Sequence, residues 1–255
     1  PGTSGIIGLQ MLAKSAPDGY TIGAVSSNFA INSALFQKLP YDPIKDLLPI
    51  GQVAAAPFVI VVANELKVRS LAELIALARA KPRSIHYGSA GVGGMNHLTT
   101  ELFASTAKIE LVHVPYKGIA PAFTDLMGGS LQMVVPTVAS VAQYIHSGKM
   151  LGLAITSTQR SPLAPELPTS AEAGLPGYEP EVWWGLIGPA ELPSNMVGRL
   201  NEVLNAILAS PDVRALLARE GATPRPGTPD AFGRLIRDEL LRWAKLIKEA
   251  AIQTE

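Results

Sequence analysis

Apolar positions in this chain fall into two alternating rhythms. Short β-branched and aromatic runs, Thr21 to Val25, Ile85 to Tyr87, Leu111 to Val114, Leu131 to Val135, Met150 to Thr156 and Val182 to Ile187, read as buried strands. Between them apolar residues recur at helical spacing. Leu71, Leu74, Ile75 and Ala78 define a helix over Leu71 to Ala80, capped by Ser70 with Glu73 three positions later. Similar spacing predicts helices over Ile6 to Ser15, Ala30 to Phe36, Met95 to Thr106, Ala120 to Met127 and Val141 to His146. Ile50 to Val53 and Phe58 to Val62 are strand-like, separated by an alanine run and Pro57. An extended segment of this kind suits a crossover between domains, and a plain core strand equally. Residues 157 to 180 hold five prolines and form a long connection. The remainder is helical, from a face of Leu200, Val203, Leu204, Ile207 and Leu208, through Val213 to Glu220, to a stripe of Phe232, Leu235, Ile236, Leu240, Trp243, Leu246 and Ile247.

Strand, short turn and helix repeat in this order, which argues for α/β architecture with parallel sheets covered by helices. Ligands of such folds sit beyond the carboxyl ends of the strands. The strand-to-helix turns are Ser26–Asn28, Ser89–Gly94, Tyr116–Gly118 and Pro136–Ser140, and Lys117 is their only charged residue. The second is the most distinctive. In Tyr87-Gly88-Ser89-Ala90-Gly91-Val92-Gly93-Gly94-Met95-Asn96-His97 a strand runs through small residues into a helix N-terminus. Bare backbone N–H groups and the positive end of a helix dipole then meet at one point, which suits a carboxylate.

Composition narrows the chemistry. The 255 residues are 47% hydrophobic and 16% charged, enough for a sizeable core and too few charges for disorder. Lys plus Arg and Asp plus Glu both number 21, which argues against nucleic acid and anionic membrane surfaces as partners. Without cysteine there is no disulfide, thiol catalysis or thiolate metal site, and the four histidines form no metal-ligand spacing. The longest apolar run, Val53 to Ala63, is broken by Pro57 and falls far short of the roughly 20 residues a membrane span requires. The chain opens on Pro1-Gly2-Thr3-Ser4-Gly5 with no signal-like n-region, so any targeting signal is expected to be absent or already removed.

Catalytic motifs are incomplete. A nucleophile elbow needs Gly-x-Ser-x-Gly, but Tyr87 stands at its first position, although Asp125 and His146 follow Ser89 in hydrolase order. A dinucleotide fingerprint fails at Asn96. His97 reads as a packing or capping histidine, and His113 as a satisfied core residue. Lys117 suits either a counter-charge or a solvated loop. Trp183 and Trp184 face opposite sides of their strand, and Trp183 is the one favoured to wall a cleft. The turns lack Asp and Glu, so binding fits better than acid–base chemistry; neither a catalytic residue nor a metal or cofactor is expected.

Several segments carry a resemblance: Ala16-Pro17-Asp18-Gly19-Tyr20-Thr21, Leu39-Pro40-Tyr41-Asp42-Pro43, Tyr87 to Gly93 with His97-Leu98, His113 to Gly118 with Ala120-Pro121-Ala122, Ala171 to Tyr178, and Trp183 to Leu186. Together they resemble the substrate-binding receptors of the tripartite tricarboxylate transporters, also called Bug proteins. The resemblance implies a monomeric bacterial periplasmic receptor of the type II, Venus-flytrap kind. Its two α/β domains, each a mostly parallel sheet covered by helices, would span 1–57 with 179–255, and 58–178. The interdomain cleft would close on a small carboxylated ligand, an organic acid or amino acid, for delivery to a large and a small membrane subunit. It implies contacts from Ser26, Ser27 and Asn28, from Ser89, Gly91, Val92 and Gly93, and from Thr137 and Ser140, with Trp183 added by the reading above. The family's first β-α-β, including a carboxylate-gripping loop, has no counterpart in this sequence. Gln132 and Pro136 stand where the family usually has acidic and Asp or Asn residues. Two alternatives remain at this point: a hydrolase-like enzyme with Ser89 as nucleophile, and a sensor that presents bound solute to a membrane signalling partner.

Overall fold

Each helical or strand-like run of the sequence becomes an element, with shifted ends. The computed structural model describes residues 5–36 and 38–252. The opening loop, Gly5 aside, lies outside the described residues. The elements are α1 (Ile6–Ala13), β1 (Gly23–Ser26), α2 (Asn28–Leu35), β2 (Leu47–Pro57), β3 (Val59–Val62), a 3-10 turn, α3 (Leu71–Ala80), β4 (His86–Ser89), α4 (Met95–Ala107), β5 (Val112–Pro115), α5 (Ile119–Met127), β6 (Met133–Val134), α6 (Val138–His146), β7 (Leu151–Ile155), β8 (Glu181–Pro189), α7 (Ser194–Ala209), α8 (Pro211–Arg219), β9 (Thr223–Pro224) and α9 (Pro229–Glu249). They form two units: one holds the chain up to Ala55 with Trp183–Ala251, the other Ala56–Val182. The chain leaves the first unit within β2 and re-enters it within β8.

The second unit is a five-stranded sheet in the order β5-β4-β6-β3-β7. β4 runs parallel to both β5 and β6, while β3 runs antiparallel to β6 and β7. β3 is buried on both faces. Phe58, Ile60 and Val62 join one core with Leu71, Leu74, Tyr87, Phe103 and Tyr178, and Val59, Val61 and Ala63 join another with Phe123, Leu126 and Val141. That period-two division explains why the strand is continuously apolar. Each Val, Leu, Ile or Phe side chain among them contributes about 1.5–3 kcal/mol by burial. The proline-rich connection is anchored by Tyr178, whose buried Oη–H donates to Thr99 O at 3.0 Å. Thr156 Oγ1 adds a second tie by donating to Pro180 O at 2.6 Å.

The first unit has the order β1-β8-β2-β9. The expected mostly parallel pairing is corrected: the second sheet is mixed, with two parallel and two antiparallel pairings, because β3 runs against both β6 and β7, and in the first unit β1–β8 and β2–β9 are antiparallel. The Trp183 ring meets Phe232 edge-on at 5.4 Å. Gly185 leaves room for that phenyl, because a Cβ there would lie 2.1 Å from Phe232 Cζ. The α9 stripe conceals one charge: Glu239 is buried, with Oε2 accepting from Trp243 Nε1 at 2.7 Å and Oε1 paired with Arg242 at 2.8 Å. Burial raises its pKa against the opposing pull of Arg242 and the tryptophans. Trp183 Nε1 lies near this carboxylate without a well-formed hydrogen bond.

Candidate functional site

The parallel strands β5, β4 and β6 deliver three turns of the second unit to one sheet edge. Tyr116 N–H donates to Ser89 O at 3.0 Å, and Asn96 Nδ2 donates to Val135 O at 2.8 Å, so the Ser89–Gly94 turn is tied to both neighbours. Gly91 (φ 132) and Gly93 (φ 76) occupy backbone conformations that a side chain resists. Gly94 caps α4 without a side-chain hydrogen bond.

The loop consumes some of its own donors. Gly91 N–H donates to Ser89 Oγ at 3.1 Å, Gly93 N–H donates to His97 Nδ1 at 3.0 Å, and Gly94 N–H reaches Gly91 O at 3.4 Å. The amides left without a partner in the loop and the first helical turn are those of Ala90, Val92, Met95, Asn96 and His97. Two expectations are therefore corrected. Gly93 is buried with its N–H already engaged, and Ser89 is fully buried with its hydroxyl engaged, so both shape the loop from behind. Val92, 47% exposed, stands at the loop surface.

Behind the loop lies an aromatic stack that the sequence pattern did not assemble. His113 Nε2 is 2.6 Å from Ser89 Oγ. The rings of His97 and His113 stack at 3.8 Å with an 8° tilt, and Tyr87 stacks on His113 at 5.0 Å. Tyr87 Oη–H donates to Glu101, whose Oε1 is also 4.0 Å from His97 Nε2. Burial, then the neighbouring His113, pushes the His97 pKa down to about 4. Burial alone does the same to His113, so both imidazoles are neutral at neutral pH. Burial and Glu101 raise the Tyr87 hydroxyl. The one available sequence signal was the i,i+4 spacing of His97 and Glu101.

Ser89 and His113 form a serine–histidine contact, but the serine is sealed from solvent and, among the described residues, no carboxylate bonds to His113. Asp125 instead accepts from Tyr116 Oη at 2.7 Å, and His146 lies 3.7 Å from Glu166, far from hydrolase roles. No group of His, Asp and Glu suited to a metal ion occurs among the described residues.

At the third turn α6 begins at Val138, earlier than the sequence suggested, which makes Thr137 its N-cap residue and puts Ser140 in its first turn. Ser140 Oγ donates to Thr137 O at 2.7 Å, and Thr137 Oγ1 donates to Ser140 Oγ at 3.3 Å. Gln132 accepts His86 N–H at 3.1 Å.

In the first unit α2 likewise begins early, at Asn28, which is exposed. Ser26 ends β1 opposite Trp184. Ser27 is fully buried, its N–H donating to Trp183 O at 2.9 Å, and its Oγ lacks a partner. A groove of about 830 Å³ runs along α1 and β1, bounded by Leu12, Thr21, Gly23, Ser26 and Asn28. Trp183 does not wall a cleft. It is 2% exposed because its side of β8 packs on α9, and Trp184 is the exposed indole at 39%.

Two α/β units linked by the long strands β2 and β8, with an amide-lined turn at one sheet edge, define a periplasmic binding protein fold, which solved receptors share. The chain belongs to the tripartite tricarboxylate transporter family receptors, whose family model matches residues 1–252. It is similar to the protein BugT of Bordetella pertussis, 36% identical over 97% of this chain and 77% of that protein. It is also similar to two solved structures. One is R. palustris Rpa4515 with adipate, TM-score 0.80 and 35% identity over 99% of this chain and 85% of that chain. The other is MatC from Rhodopseudomonas palustris with bound malate, TM-score 0.75 and 28% identity over 96% of this chain and 85% of that one.

Proposed function

We propose that this chain is a periplasmic receptor that binds a small carboxylated metabolite without transforming it and hands it to a tripartite membrane transporter. The observation that carries the reading is the Ser89–Gly94 turn, where the Val92, Met95 and Asn96 amides lack a partner at the N-terminus of α4 and the turn holds no charged side chain. Adipate and malate, bound by two structural relatives, are both dicarboxylates. Among the described residues no helix is long and apolar enough to cross a membrane, in keeping with a receptor that hands its cargo to other subunits.

A thermal-shift screen of mono- and dicarboxylates, amino acids and aromatic acids tests the proposal. A ligand at a hundred times its Kd stabilises the native state by about 2.7 kcal/mol. A concentration-dependent shift with at least one acid, and a combined shift with a second bound acid that is smaller than the sum of the two, supports it. No shift with any acid rejects it, as does covalent labelling of Ser89 by an esterase-directed phosphonate.

A further inference from the structure

We propose that His97 is a positioning residue for the anion-binding turn: its Nδ1 lone pair holds Gly93 N–H inward, which turns the Val92 and first-turn amides toward the ligand. This inference rests on the turn being the carboxylate site. The geometry on which it stands is specific. Gly93 sits at φ 76 and donates to Nδ1 at 3.0 Å, so the acceptor nitrogen carries no proton and Nε2 carries it. The ring is confined, because it stacks on His113 at 3.8 Å and is 5% exposed. The groups facing it are His113 from β5, Tyr87 from β4 and Glu101 one turn along α4.

Protonation of His97 puts a second hydrogen opposite the Gly93 N–H, and two donors cannot share that contact. The turn must then release Gly93, and the amides around it lose their common direction. His113 is different in kind. Adding a proton to it leaves Nε2 able to donate to Ser89 Oγ, whose own hydrogen then goes to Gly91 O at 3.0 Å. Two histidines that touch the same turn thus differ: losing the His97 acceptor disrupts ligand binding, whereas protonating His113 does not.

The test uses His97→Asn, whose Oδ1 replaces the Nδ1 acceptor, and His97→Leu, which fills the space without one. In the ligand-free protein, hydrogen exchange of the Gly93 amide should accelerate at least about tenfold in H97L and by less than about threefold in H97N. Long-range proton–nitrogen correlation spectra of the wild type should show the Nε2–H tautomer at His97. With adipate and malate as probes, H97L should lose about tenfold or more in affinity, while H97N stays within about threefold. The ratio of wild-type to H97N affinity, in which the acids' own protonation cancels, should be level from pH 8 to 5 and fall near pH 4 wherever circular dichroism shows both proteins folded. Equal Gly93 exchange in H97L and wild type, or the Nδ1–H tautomer, overturns the proposal. Failure of the wild type to bind either acid counts against the carboxylate reading of the turn, while the exchange and tautomer measurements still decide the role of His97.

Discussion

Gly88 offers a sharp test of how the turn is supported, because it lies one residue before Ser89 in β4 and faces α5. A Cβ built there would sit 2.6 Å from Leu131 Cδ2, 2.8 Å from Ala122 Cβ and 3.3 Å from the Tyr116 ring. The leucine methyl ends a flexible side chain and can rotate away. The Ala122 Cβ is fixed to the helix backbone, so Gly88→Ala must move α5 or β4 as a body. Overpacking of this kind costs about 1–3 kcal/mol. For a chain of this size each kcal/mol lowers Tm by roughly 2–4 °C, which places the loss at about 2–12 °C. Ala122→Gly alone should also destabilise, through roughly 1 kcal/mol of helix propensity and a lost buried methyl. Combined, the two changes exchange one methyl for another, and the double variant should be more stable than the sum of the singles by at least about 0.5 kcal/mol. Urea unfolding followed by far-UV circular dichroism measures all four proteins. An unchanged midpoint in G88A, or strict additivity in the double variant, refutes the claim that backbone proximity of β4 and α5 requires glycine at this position.

The remaining predictions concern buried titratable groups. His97 is held near pKa 4 against an ordinary 6.5, so on acidification the unfolded chain takes up its proton before the folded one does. Stability should therefore fall as pH drops from about 6.5 to about 4, by up to about 3 kcal/mol from this residue, and urea midpoints for wild type and H97N at pH 7 and pH 4.5 should diverge accordingly. Glu239 has the opposite sign: its pKa is raised, so the folded state holds the extra proton and stability declines as pH rises through the folded value. Glu239→Gln keeps an acceptor for Trp243 Nε1 and should flatten that decline in a pH series of thermal melts. Glu239→Leu leaves that indole N–H buried and unpaired, at a cost of about 1–3 kcal/mol readable in the same melts.

Elements with strong local signals were legible from the chain alone. Ser70 accepts from Glu73 N–H at 3.2 Å, as the capping pattern required, and the buried residues of α3 are the four read from its spacing. Helix starts were less legible where capping serines and threonines come in pairs. Ser26-Ser27-Asn28 and Thr137 to Ser140 read as turns, whereas α2 and α6 absorb Asn28 and Ser140. The two-residue strands β6 and β9 carry too few positions to show alternation. The buried placements of Trp183, Ser89 and Gly93 differ from the sequence reading for a common reason. Strand alternation states that Trp183 and Trp184 face opposite ways but not which face carries α9, and a glycine-rich turn advertises amides without stating which ones its own side chains consume.

The same gap explains why the proposed anion-binding turn stood out in the sequence and its support did not. Anion affinity at a helix N-terminus comes from backbone groups, which glycine spacing reveals. Their direction is fixed by His97, His113, Tyr87 and Glu101, drawn from β4, α4 and β5 and brought together only by parallel pairing. A charged imidazolium behind the turn would attract the carboxylate more strongly, but it would be a donor where Gly93 requires an acceptor. Neutrality at His97 is therefore the condition for the shape of the turn, and the burial that depresses its pKa secures that condition at neutral pH. On the proposed reading, attraction is left to the amides and the helix dipole. On the proposed carboxylate reading, selection among acids falls to the surface that the turn presents, where the Val92 side chain is 47% exposed.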